Sequence, residues 1–206
     1  MFTRAADDPA GRRSYGGATD GHRKEDMTRH RRRRLVPALA AVAAVAVAVP
    51  ALAATAPSKV TQPVVGGAKF VPNRLMADTM HFKKDVLRIK KGGTITLVDR
   101  TKAPHSFSVV KKRQVPRSAA GVDACFGKGP CDDLALAHGA INPDTGEEQD
   151  PTTPLVNVGK AGFNQPGDSV LIPPGGKAKV KVTGSQDLYY ICAIHPWMQG
   201  KIDVVG

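Results

Sequence analysis

From residue 86 onward the chain is built of short stretches in which apolar and polar side chains alternate, each closed by glycine or proline. Val86-Leu87-Arg88-Ile89-Lys90 alternates, Lys91-Gly92-Gly93 turns, and Thr94-Ile95-Thr96-Leu97-Val98 follows. Residues 105–110 (HSFSVV) alternate again. Residues 169–172 (SVLI) lead into Pro173-Pro174-Gly175-Gly176, and residues 177–183 (KAKVKVT) leave it. Residues 188–191 (LYYI) and 201–205 (KIDVV) complete the set. A period of two sends successive side chains to opposite faces of a strand, so each run offers one face to a core and one to water. Many such runs with Gly/Pro punctuation predict an antiparallel sandwich or barrel.

Residues 111–166 break this rhythm and read as a long loop insertion over one face of the strands. Within it, Asp132-Asp133-Leu134-Ala135-Leu136-Ala137-His138 predicts one or two helical turns with Asp132 as cap, and His138 reads as a surface residue. Cys125-Phe-Gly-Lys-Gly-Pro-Cys131 is a Gly/Pro-rich segment whose two cysteines predict a small disulfide ring. A zinc pair is the weaker alternative, because a spacing of six lies outside the usual knuckle. Cys192 is then the odd cysteine and needs another explanation.

The first quarter of the chain reads differently. Residues 35–56 carry no charge and are nearly all Ala, Val and Leu, and Arg29-His30-Arg31-Arg32-Arg33-Arg34 precedes them. A basic stretch, an apolar stretch and a small-residue ending form a secretory signal, with Ala51-Leu52-Ala53 as the cleavage site. An uncleaved membrane anchor is the alternative, since 22 uncharged residues are long enough to span a bilayer. Met27 is a natural start for such a signal. Residues 54–67 are rich in Pro, Gly and small side chains and read as a flexible linker, which leaves residues 68–206 as the folded domain. Export places the protein in the periplasm, outside the cell or on its surface, where disulfides persist.

Without residues 1–53 the chain keeps 20 Lys+Arg against 13 Asp+Glu. Residues 83–117 hold eleven basic side chains against Asp85 and Asp99, whereas residues 123–150 hold seven acidic ones against Lys128. This polarity suits steering toward a protein of matching pattern. No aromatic residues interleave with the arginines, which excludes nucleic acid as the partner.

The candidate chemistry lies near the C-terminus, in Cys192-Ala193-Ile194-His195-Pro196-Trp197-Met198-Gln199-Gly200. A strand delivers Cys192, a tight turn presents His195 and Met198, and Gly200 lets the next strand leave. Thiolate and thioether are soft donors and imidazole is intermediate, a set that suits copper rather than magnesium or calcium. Zinc would bind the same His and Cys groups but gives no reason for Met198. Two His, one Cys and a long axial Met make the blue-copper pattern. His105 is the candidate second imidazole, because it opens a strand after the turn Lys102-Ala103-Pro104. Met76, Met80 and His81 form a second Met/His group, for which a plain strand edge is the better reading than a second copper.

Cys192-x2-His195-x2-Met198 with Gly200 resembles the copper loop of cupredoxins, and its short spacing is most similar to that of amicyanin and plastocyanin-like members. Pro104-His105 resembles the family's first-ligand strand, and Lys90-Lys91-Gly92-Gly93-Thr94-Ile95-Thr96 its early hairpin. The resemblance implies an all-β, Greek-key β-sandwich holding one type 1 copper, with His105, Cys192 and His195 in plane and Met198 axial. It also implies an electron port at the edge of His195 framed by Pro196 and Trp197. Asp99 stands where these proteins often have an Asn that fastens the two ligand-bearing loops.

The function this implies is single-electron transfer between redox partner proteins by an exported monomer, not enzyme catalysis. Copper trafficking or storage is the main rival. A multicopper oxidase or copper nitrite reductase is disfavoured: the neighbours of Cys192 are Ile191 and Ala193, not the histidines that lead to further coppers, and too few His remain for a second copper.

Overall fold

The alternating runs become strands because each buries one row of side chains: Leu87 and Ile89 in one, Ile95 and Leu97 in the next. The computed structural model describes residues 55–206, and the expected export signal, its cleavage site and Met27 lie outside the described residues. The strands are β1 (Lys59–Val65), β2 (Ala68–Val71), β3 (Leu75–Asp78), β4 (His81–Phe82), β5 (Val86–Lys90), β6 (Thr94–Asp99) and β7 (His105–Val110). The helices α1 (Ala119–Asp123) and α2 (Pro130–Ala137) follow, then β8 (Leu155–Val156), β9 (Ser169–Ile172), β10 (Lys177–Lys181), β11 (Leu188–Ile191) and β12 (Gln199–Val205). One sheet has the order β10-β6-β1-β4 and the other β5-β12-β11-β7-β9-β8, while β2 and β3 form a separate hairpin. Side chains from both sheets, among them Phe82, Leu97, Phe107, Ile172, Tyr190 and Ile202, meet in a single apolar core. This is an all-β sandwich, as the alternation predicts.

Two pairings depart from the antiparallel expectation. β1 runs parallel to β6, and β12 parallel to β5. In each case the chain visits the opposite sheet between the partners, so it returns in the same direction.

The segment expected to be a linker is also corrected. Residues 59–65 form β1, and Gln62 and Val64 are fully buried. The run looks irregular because Pro63 lacks a backbone donor and Gln62 is polar. Pro63 is accommodated because it lies just past the two β1–β4 pairs at Val64 and Val65, where its carbonyl accepts from Lys83 N at 2.9 Å and the donor it lacks breaks no pair of the named strands. The Gln62 side chain is satisfied across the sandwich. Its Nε2 donates to Lys84 O at 2.6 Å and to Tyr190 Oη at 2.8 Å, and its Oε1 accepts from Lys84 N at 3.1 Å. Tyr190 Oη in turn donates to Lys84 O at 2.9 Å. Gln62→Leu therefore removes the buried bond to Tyr190 Oη and the part-buried bonds to Lys84, and should lower stability by about 1–3 kcal/mol. A urea titration with an unshifted midpoint would contradict this.

The insertion covers the outer face of the larger sheet. Cys125, Cys131 and Leu134 pack there against Val110, Ile191 and Ala193. The expected disulfide joins Cys125 and Cys131, with an S–S distance of 2.06 Å, so neither is a zinc ligand. Helix α2 begins two residues before the expected cap. Gly129 is the cap and Pro130 opens the first turn, where its missing N–H costs nothing. Asp132 instead accepts from Lys128 N at 2.8 Å. Because the core covers one face of β7 and the insertion the other, all six of its residues are buried. His138, expected on the surface, is only 2% exposed. The far end of the insertion is held by Asp168, a buried carboxylate accepting from the amides of Val158, Asn164 and Gln165.

Candidate metal centre

The centre forms where two neighbouring strands of the larger sheet end. β7 starts at His105, and β11 pairs with β7 up to Ile191↔Ser108. β11 and β12 are in register at Ile191↔Gln199, so residues 192–198 form the connecting loop. Cys192 N donates to Met198 O at 2.9 Å and closes the base of the loop. Met198 N donates to His195 O at 2.8 Å, a four-residue turn with Pro196 at its second position, where a fixed φ near −65° is favoured. Gly200 has a role other than the one expected. It lies inside β12, and a Cβ there would stand 2.3 Å from Tyr190 Oη and 2.7 Å from Asp85 O. Its bareness makes room for the Tyr190 ring.

The structure brings His105, Cys192 and His195 together, with one donor atom from each within 4.8 Å of the others. Cys192 Sγ lies 3.8 Å from His105 Nδ1 and 3.7 Å from His195 Nδ1. A nitrogen bound at about 2.0 Å and a sulfur bound at about 2.3 Å, set at about 120°, would be about 3.7 Å apart. The observed spacing thus fits a trigonal site of two nitrogens and one sulfur for a first-row metal ion. Among the described residues Cys192 is the only free cysteine, and it is fully buried. Met198 is 1% exposed and belongs to the same apolar cluster as Cys192.

Burial dominates the electrostatics. It pushes the His105 imidazole below its ordinary pKa, the charge of His195 adds to that effect, and Asp99 and Asp78 partly oppose it. His195 is lowered for the same first reason, again opposed by Asp78. Neutral imidazoles are the metal-binding form. Burial pushes the Cys192 thiol up, against a backbone hydrogen bond from Ser106, whose N–H reaches Sγ at 3.3 Å. A bound cation supplies the charge that a thiolate here requires.

The back of His105 is held by Thr101, which the sequence did not single out, and through it by Asp99, which it did. His105 Nε2 lies 2.8 Å from Thr101 Oγ1. Thr101 N donates to Asp99 Oδ1 at 2.7 Å, and Gly175 N donates to Asp99 Oδ2 at 3.0 Å. Asp99 thus ties the end of β6 to the 173–176 turn and stands 3.9 Å from His105 Nε2. The link between the two ligand-bearing segments is made by Ser106 instead, whose Oγ accepts from Ala193 N at 2.7 Å. Ser106 was hidden from sequence reasoning because an alternating strand assigns it to a solvent face that the insertion in fact covers. Thr101→Val removes the hydrogen-bond partner of His105 and should weaken metal binding about tenfold. A competition titration against a chelator would detect the change.

At the surface His195 is half-buried, Trp197 is 41% exposed and Pro196 is buried. Ile194, rather than Pro196, therefore shares the exposed rim with Trp197. The His195 and Trp197 rings meet edge to face at 5.2 Å, and Trp197 Nε1 donates to Met80 O at 3.3 Å. The Met/His group does not converge. Met80 is buried in the core, Met76 is 79% exposed, and His81 is exposed with Nδ1 on Thr79 O.

The family described as "Copper binding proteins, plastocyanin/azurin family" matches residues 71–205. No curated protein matches the chain. Among solved structures, a copper(I) form of an amicyanin variant is similar at 13% identity, covering 74% of this chain and 88% of its own, with a TM-score of 0.35. A purple cupredoxin from Nitrosopumilus maritimus is similar at 12% identity, covering 71% of this chain and 99% of its own, with a TM-score of 0.38.

Proposed function

Because the chain belongs to the plastocyanin/azurin family of copper binding proteins, we propose that it is an exported carrier of single electrons, holding its one copper ion through His105, Cys192, His195 and Met198. The observation that carries this reading is the meeting of two Nδ1 atoms with the free thiol at 3.7 and 3.8 Å. Bound copper supplies a one-electron change between its cupric and cuprous states. The protein's part is to hold the donors still. His105 is fixed on a strand and backed by Thr101, Cys192 by the amide of Ser106, and His195 by the turn that closes at Met198. Donors held in this way need little rearrangement when the charge of the site changes. The rim of Ile194, His195 and Trp197 is the port for the electron, and the basic 83–117 and acidic 123–150 segments orient the partner. The arginine run and apolar stretch before residue 56 support export.

The test is a visible spectrum of the full chain loaded with cupric ion, followed by repeated reduction and reoxidation in the presence of a chelator. An intense band toward the red that bleaches on reduction and returns undiminished is the expected result. Copper lost to the chelator at each cycle would replace electron transfer with trafficking or storage.

A further inference from the structure

His138 has no role in the ligand set, yet the insertion carries it into the outer face of the larger sheet and buries it there. It caps the C-terminal end of α2, and its Nδ1 lies 2.5 Å from Thr153 O. Its Nε2 lies 2.7 Å from Ser169 Oγ. Ser169 Oγ is 2.6 Å from Ser108 Oγ, and Ser108 Oγ is 2.9 Å from Ser106 Oγ. Ser106 Oγ accepts from Ala193 N, the amide that follows Cys192. An unbroken chain of hydrogen bonds thus runs from the insertion to the metal loop. None of the four side chains is more than 2% exposed.

The direction of every bond is fixed from the two ends. The Thr153 carbonyl can only accept, so His138 carries its hydrogen on Nδ1. Burial keeps this imidazole below its ordinary pKa and hence neutral, so Nε2 accepts from Ser169. Ser169 has then used its one hydrogen on Nε2, so Ser108 donates to Ser169 and, its own hydrogen used, accepts from Ser106. At the other end the Ala193 amide can only donate, so the Ser106 oxygen accepts there. Each hydroxyl donates once and accepts once, and no hydrogen is left over. Removing the Nε2 acceptor frees the hydrogen of Ser169, and the order that aims each hydroxyl is lost.

We propose that His138, Ser169 and Ser108 are positioning residues that fix the Ser106 hydroxyl and, through it, the Ala193 amide beside Cys192. The insertion thereby takes part in setting the metal loop rather than merely covering the sheet. Its effect on copper rests on the ligand assignment above, whereas its effect on Ala193 does not.

The test uses the full chain with Ser108→Ala, which cuts the chain midway without touching the insertion, and separately His138→Phe. Hydrogen exchange of the Ala193 amide is followed by NMR in the reduced, copper-loaded protein, with core amides of β6 as reference, and the reduction potential is measured alongside. Loss of one net hydrogen bond should speed Ala193 exchange about fivefold in both variants, with the β6 amides unchanged and the potential displaced. Unchanged Ala193 exchange in both variants overturns the proposal, as does equal acceleration of the β6 amides, which would mean general loosening. If the wild type takes up no copper, the ligand assignment fails, and Ala193 exchange in the metal-free protein still decides the positioning chain.

Discussion

Cys192→Ser should abolish the red-region band and weaken copper binding by more than about a hundredfold, beyond the loss typical of second-sphere changes. Nothing nearby can replace this sulfur. Cys125 and Cys131 are joined to each other in the insertion, and a serine hydroxyl stays protonated where a thiol can ionise beside a cation. The imidazoles of His105 and His195 remain at the site, so residual weak binding without the colour is compatible with the assignment. A variant that keeps the band would mean that the chromophore lies elsewhere. Spectra at matched copper loading, with metal content measured after dialysis, separate these cases.

Gly200→Ala should overpack the interior between β11 and β12 and cost about 3 kcal/mol, the upper end of the usual range for overpacking. For a domain of this size that corresponds to a fall in Tm of about 6–12 °C. The new Cβ would meet the Tyr190 ring, whose Cζ lies 2.5 Å away, and the carbonyl of Asp85 at 2.7 Å. Neither can move aside. Tyr190 is fully buried and its hydroxyl is bonded to Gln62 and Lys84, while the Asp85 carbonyl accepts from Lys201 N at 2.8 Å and so holds β12 to the chain before β5. Gly67→Ala is the matching control, since nothing lies within 4 Å of its added Cβ. Thermal unfolding in which both variants match the wild type would show that β12 can shift to make room.

What the sequence made legible follows from which forces act locally. Strand alternation was readable because burial of Leu87, Ile89, Ile95 and Leu97 leaves a period of two in the chain itself. The pairing of Cys192 with His195 was readable because both donors lie within one turn-and-strand segment. β1 was not, because Pro63 and Gln62 disguise it: the first sits just past the end of the β1–β4 pairing, and the second is satisfied by residues 22 and 128 positions away. The buried state of His138, Ser106 and Ser108 was equally hidden, since only the packing of the insertion turns an outward face into an interior one. The role of Gly200 was misread because the bulk it avoids belongs to Tyr190 on the neighbouring strand. Long-range contacts of this kind leave no periodic trace.

The distance along the chain between the first imidazole and the remaining donors has a thermodynamic consequence. Eighty-seven residues separate His105 from Cys192, so only pairing of β7 with β11 unites them. A denatured chain still carries Cys192, His195 and Met198 side by side and retains some hold on the ion. Ligand-linked stabilisation counts only the preference for the native form over the denatured one. The rise in unfolding temperature on adding copper therefore reports mainly what His105 and enforced geometry contribute, and it understates the total affinity of the folded protein.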